Sequence, residues 1–240
     1  MSHSDPKCGP LNEPLHLEIS QFSERTAPMD DKSLSEPMTI SVGSSHNAAK
    51  RIFDLVFASS ALMILIPFLL VIGALVRLDS RGPALFRQDR TGLNGETFII
   101  YKFRTMTVME DGASARQATV GDVRVSSIGR ILRKFSIDEL PQLYNVLIGN
   151  MSLVGPRPHP PSLDKVFAPK ISNYMGRYLA KPGITGLAQV EGARGETSTI
   201  EAMERRVNFD LDYVTRASFS LDIAIIFRTV FVLIFRPNAF

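Results

Sequence analysis

Two acidic residues stand side by side at Asp138 and Glu139, in RKFSIDELPQ, where Arg133 precedes them by five positions. A carboxylate held ionised at the positive start of a helix can act as a nucleophile. Its neighbour can bind a divalent ion that shields a diphosphate. The same residues admit a purely structural reading, because Ser136 with Glu139 fits a capping box that ties down free helix amides. Two further clusters carry cations on constrained backbone. Arg157 lies between Pro156 and Pro158, so its chain is held extended and its guanidinium is aimed from a stiff base, as bidentate phosphate binding requires. Otherwise it is an exposed arginine on a rigid turn. Lys102 and Arg104 alternate with Tyr101 and Phe103, which gives a strand one cationic face.

These residues need elements to position them. Pro141 suits a first helical turn, so Asp138 should begin a helix with Leu140, Leu143, Tyr144 and Leu147 on one face and Gly149 at its end. The stretches around Ala84–Arg90 and Thr97–Phe103 read as two short strands about a Gly/Asn turn, a small β-hairpin. Upstream, Leu55–Val76 contains no charged residue and is long enough to cross a bilayer core. Lys50 and Arg51 precede this run and Arg77 and Arg81 follow it. The excess of cations at cytoplasmic ends therefore pulls both ends to one side. Pro67, near the middle, favours a sharp kink. The prediction is a re-entrant helix-break-helix; a kinked helix crossing once is the alternative. The run from Leu221, interrupted by Arg228, fits a helix lying in the interface better than a second span, with a core-packing helix as the alternative.

Residues 1–47 are Ser-, Pro- and acid-rich without an apolar period, and read as a disordered tail. The tail has three Lys/Arg against seven Asp/Glu, leaving the remainder more basic than the overall charge of +3. Basic balance alone suits nucleic acid, anionic lipid or phosphorylated small molecules. The single cysteine, Cys8, excludes an intrachain disulfide scaffold. The resulting organisation is a tail over 1–47, a membrane helix with its flanks over 48–82, and a catalytic domain over 83–240.

Taken together, KRIFD, FRQDRTGLNGETF, YKFRTM, RKFSIDELPQLYNVLIGNMSLVGPRP, KPGITGLAQV and the closing FDLDYV…SLDIAIIFRT resemble, in order, the bacterial sugar transferases also called monotopic phosphoglycosyl transferases. The resemblance runs from about Lys50 to the C-terminus. It implies an α+β catalytic domain on the cytoplasmic face of the bacterial inner membrane, anchored by a re-entrant helix and interfacial amphipathic helices. It also implies that Asp138 is the nucleophile, attacking the phosphate next to the sugar of a UDP-sugar and expelling UMP. Undecaprenyl phosphate then takes the phosphosugar. Glu139, with Asp138, would support Mg²⁺. Arg133 and Arg157 match positions suited to phosphate contacts, joined by Lys102, Arg104 and Arg194.

The stretch Val190–Thr197 looks more like members using UDP-glucose than those using UDP-galactose or acetamido sugars. Glucose is therefore expected first and galactose second, in exopolysaccharide priming. Leu187 departs from the tryptophan of many relatives without touching the nucleophile. The resemblance admits a homodimer and gives no role to nucleic acid. Two rivals remain: a conventional glycosyltransferase releasing UDP, and a non-catalytic membrane scaffold.

Overall fold

The uncharged run between Asp54 and Arg77 has no polar face to offer water, and it forms one helix, α1, from Ser44 to Asp79. The structure, a computed structural model, describes residues 44–107, 122–195, 197 and 199–235. The expected disorder of residues 1–43 lies outside them. Helix α1 begins inside the stretch read as tail and runs unbroken through Pro67, where a break into two helices was expected. Proline removes one hydrogen bond, but the apolar residues on either side have no better way to satisfy their backbone than to stay helical. Among the described residues it is the one helix long and apolar enough to cross a membrane.

One stripe of α1 packs inward: Asp54, Ala58, Ile72 and Val76 are buried, with Leu62, Leu65 and Leu69 half-covered between them. Ile52, Val56, Met63, Ile64, Leu70 and Val71 on the remaining surface are exposed. Both ends of the helix are tied to the rest of the fold. Near its start, Arg51 donates to the carbonyls of Val146 (2.6 Å) and Leu147 (2.8 Å), Asp54 accepts from the Leu153 amide (3.1 Å), and Lys50 pairs with Asp222 at 2.6 Å. At its end, the Arg104 guanidinium donates to the carbonyls of Ser80 (2.5 Å) and Arg81 (2.8 Å) and, more loosely, Val76 (3.4 Å). A helix C-terminus leaves such carbonyls without intrahelical donors.

The predicted hairpin is present. Strands β1 (Leu85–Thr91) and β2 (Thr97–Phe103) pair antiparallel from Leu85↔Phe103 to Thr91↔Thr97. Asn94 and Gly95 take positive φ in the connecting turn. Helix α2 (Ser127–Lys134) is capped by the Ser126 hydroxyl and is followed by a 3₁₀ turn over Ile137–Glu139 and by α3 (Gln142–Ile148). As expected, α3 stops at Gly149, whose φ is 95°. Its inward face differs from the one predicted: Leu143, Asn145 and Val146 are buried, and Tyr144 is half exposed. The reason is Asn145, whose amide donates to the Ile99 carbonyl (2.7 Å) and accepts from the Tyr101 amide (3.1 Å), laying α3 along the open edge of β2.

Beyond α3, β3 (Ser152–Val154) pairs in parallel with β4 (Gly183–Thr185), around α4 (Pro161–Phe167). Gly155 and Gly183 make this crossing possible, since a Cβ on either would overlap backbone of the other segment. The short α5 (Leu187–Val190), then α6 (Ile200–Arg216) and α7 (Phe219–Phe235), complete the fold. Asp222 of α7 accepts from both Lys50 and the Tyr213 hydroxyl, so α1, α6 and α7 meet at one buried carboxylate. Helices with two small sheets make this an α+β architecture, as predicted.

Candidate active site

Asp138 and Glu139 lie in the 3₁₀ turn between α2 and α3, only 8% and 6% exposed. The capping-box reading fails here. Ser136 takes a left-handed φ of 55° and makes no side-chain cap, and its hydroxyl instead accepts from Arg194. Glu139 turns to two cations. Lys102 Nζ is 2.9 Å from its Oε1, and Arg157 Nη2 is 2.7 Å from the same oxygen, with Nη1 3.4 Å from Oε2. Burial would raise the Glu139 pKa, but Arg157 and Lys102 outweigh it and hold the carboxyl well below the usual range. In return, Glu139 raises the pKa of Arg157.

Asp138 is treated differently by its surroundings. Its Oδ1 is buried without a hydrogen-bond partner. Burial, then the charge of Glu139, pushes its pKa up to about 6 against the pull of Lys102, Arg133 and Arg157. Two adjacent carboxylates are thus driven apart in acidity, Glu139 the more readily ionised and Asp138 the more readily protonated. Pairs separated in this way mark sites of acid, base or nucleophilic chemistry. An unpaired buried oxygen is costly to stability, so it is more readily explained by chemistry than by folding.

The other expected residues divide. Arg133, at the end of α2, donates from Nε to the Thr105 hydroxyl at 2.9 Å and acts electrostatically on Asp138. Arg194 reaches the same turn through Ser136 and feels both carboxylates. Lys102 and Arg157 are the partners of Glu139. Arg104 does not join them. It lies just past the last residue of β2 and spends its guanidinium on the end of α1 rather than on either carboxylate.

Sequence reasoning passed over Arg90 and the supports of Arg157. In the hairpin register Arg90 faces Phe98 and Lys102 faces Phe86, which sets both cations on one side of the hairpin. The alternation Phe86, Gln88, Arg90 in FRQDR was the available signal. Arg157 is fixed from behind. Arg177, fully buried, donates to the Arg157 carbonyl (2.7 Å) and to Asp210 (2.6 Å) and lies against the rings of Tyr174 and Tyr178. His159 completes this layer; burial and then Arg177 hold its pKa well below the ordinary histidine value, so it is neutral.

The family model for bacterial sugar transferases matches residues 45–236. The chain belongs to that family. Similar sugar transferases include UDP-glucose:undecaprenyl-phosphate glucose-1-phosphate transferases of Klebsiella pneumoniae and Caulobacter vibrioides. Each is 50% identical, over 76% and 80% of this chain and 39% and 72% of their own lengths. An exopolysaccharide production protein of Rhizobium leguminosarum is 44% identical over 75% of this chain and 92% of its own. The chain thus spans about two fifths of the Klebsiella relative and most of the other two.

Proposed function

We propose that this sugar transferase moves a hexose 1-phosphate from a UDP-sugar to undecaprenyl phosphate, releasing UMP, as the first step of exopolysaccharide repeat-unit assembly. Glucose is the first choice of sugar, in line with the names of the Klebsiella and Caulobacter relatives, and galactose the second. The carrying observation is the division within the acid pair: Glu139 is neutralised by Lys102 and Arg157, while Asp138 keeps a buried oxygen without a partner.

In the proposed reaction an Asp138 oxygen attacks the phosphorus next to the sugar. The bond from that phosphorus to the oxygen of UMP breaks, and the phosphosugar is held on Asp138. An oxygen of undecaprenyl phosphate then attacks the same phosphorus and expels the Asp138 carboxylate. Transfer between anions depends on charge neutralisation and in-line placement. Among the described residues around the acid pair, Lys102, Arg90, Arg133 and Arg157 outnumber Asp138 and Glu139, an excess that a diphosphate would offset. With a pKa of about 6, Asp138 is mostly ionised at neutral pH.

Mg²⁺ fits these residues. It is usually held by one or two carboxylates together with substrate phosphates, and the unpartnered Asp138 Oδ1, supported by Glu139, offers such a donor set. Its chemistry there would be neutralisation of diphosphate charge.

Both ends of α1 are tied to one folded unit, although some 29 residues of straight helix would separate them by roughly 44 Å, more than a bilayer core of about 30 Å. This, with cations at both flanks, supports anchoring from the cytoplasmic face of the inner membrane in preference to a single crossing. The exposed Phe227, Val230, Phe231 and Phe235 support α7 as an interfacial helix.

The test is incubation of nanodisc-held protein with Mg²⁺, undecaprenyl phosphate and UDP-glucose. UMP and a glucosyl diphospholipid are expected, both lost in Asp138→Asn. Release of UDP would sink phosphosugar transfer, and no turnover with any of a panel of UDP-sugars would favour the scaffold.

A further inference from the structure

The site has two distinguishable ends. Arg133 marks one. Its neighbour Leu132 packs with Phe103 on Ile72 and Val76 of the membrane helix α1, so this end adjoins the part of the protein that touches lipid. Arg90 marks the other. It donates to the Pro158 carbonyl at 3.3 Å, and the next residue, Thr91, bonds Asp164 through its hydroxyl and His159 through its amide. Asp164 in turn accepts from Tyr174 (2.8 Å) and Tyr178 (2.6 Å). Those tyrosines sit in a cluster with Phe167, Met203 and Val207 that contains no residue of α1.

Arg90 is also a cation without its own counter-ion. Its Nη2 donates to the neutral Gln88 side chain at 2.6 Å, its Nε is buried with no partner, and among the described residues no carboxylate forms an ion pair with it. Lys102 and Arg157, by contrast, both rest on Glu139. Burial, followed by repulsion from Arg157, brings the pKa of Arg90 down to about 10, still charged at neutral pH. A desolvated guanidinium beside another arginine, with an unused N–H, is incomplete until an anion arrives.

We propose that Arg90 binds the leaving nucleoside phosphate, so that the nucleotide occupies the end of the site remote from the membrane helix and the lipid phosphate enters at the Arg133 end. The inference rests on the phosphosugar-transfer reading and gives it a direction. In that reading two anionic partners visit Asp138 in turn, one water-soluble and one anchored in lipid. Separate ends let UMP depart to water while the acceptor approaches from the bilayer.

The test is equilibrium binding of UMP to the full-length protein in nanodiscs, alongside product analysis. Arg90→Met keeps an apolar stem and removes the fork. Arg90→Lys keeps the charge without it. Loss of a charged hydrogen-bonding group weakens binding by roughly 10- to 100-fold. That loss is expected for Arg90→Met, with a smaller one for Arg90→Lys. Arg133→Met should bind UMP within about threefold of wild type while raising the KM for undecaprenyl phosphate. Unchanged UMP affinity in both Arg90 variants, or its loss in Arg133→Met instead, would overturn the assignment while wild type still releases UMP. UDP release by wild type would refute the underlying reading.

Discussion

Replacing Asp138 by asparagine should make the protein inactive and more stable, by an amount that grows with pH. In the folded protein the Asp138 pKa stands at about 6 against an ordinary 3.8. Because the folded value is raised, ionisation is harder in the native state than in the unfolded chain. The resulting cost is absent well below the ordinary value, grows as pH rises through the interval, and is constant above about 6. At 1.36 kcal/mol per unit, the cost is under about 1 kcal/mol at pH 4 and about 3 kcal/mol at pH 8. Asparagine has nearly the same shape and cannot ionise, so the variant escapes this cost. For a domain of this size the advantage at pH 8 corresponds to roughly 6–12 °C in unfolding midpoint. The assay is thermal unfolding of both proteins in the same nanodiscs across pH 4–8, with EDTA and no nucleotide, because ligands of the wild-type carboxylate would stabilise it selectively. An advantage that rises with pH is predicted. A variant no more stable than wild type at pH 8 would show that the Asp138 charge is well satisfied, and would remove the physical basis for its role.

Further outcomes follow from the same contacts. Glu139→Gln leaves Lys102 and Arg157 without their shared counter-ion, and should cost roughly 2–4 kcal/mol in denaturant unfolding while abolishing turnover. At subsaturating UDP-sugar, where the rate reports the unliganded site, UMP release by wild type should fall as pH drops into the mildly acidic range and Asp138 takes up its proton; a rate independent of pH between 5 and 8 would contradict this. Arg104→Met removes donors from the end of α1 and should lower stability by about 1–3 kcal/mol with the KM for UDP-sugar unchanged. A large rise in KM would restore Arg104 to the substrate site. Gly155→Ala drives a methyl group into the Lys181 carbonyl and should cost about 3 kcal/mol or more, read as loss of folded protein on expression.

The sequence carried the local elements well. Hairpin, α3 with its glycine stop, and the apolar helix each follow from nearby residues, and so did the adjacency of Asp138 and Glu139. What these carboxylates do is set by residues far along the chain. Lys102 arrives from β2 and Arg157 from a proline-flanked loop, 37 and 18 positions from Glu139, and no local pattern says which carboxylate they will meet. Arg104 shows the opposite failure: its alternation with Lys102 suggested a shared face, but the open carbonyls of α1 claim it. The Arg177–Asp210 pair behind Arg157 lay beyond sequence reasoning, because a buried ion pair between distant segments has no period or motif of its own.

The most direct measurement follows the phosphate itself. UDP-glucose carrying a radiolabel in the phosphate next to the sugar is given to the nanodisc-held enzyme, first without and then with undecaprenyl phosphate. Transfer through Asp138 predicts label bound covalently to wild type but not to Asp138→Asn in the first stage, and label in the lipid product with unlabelled UMP in the second. Label remaining in released UDP, with unlabelled protein, would contradict it.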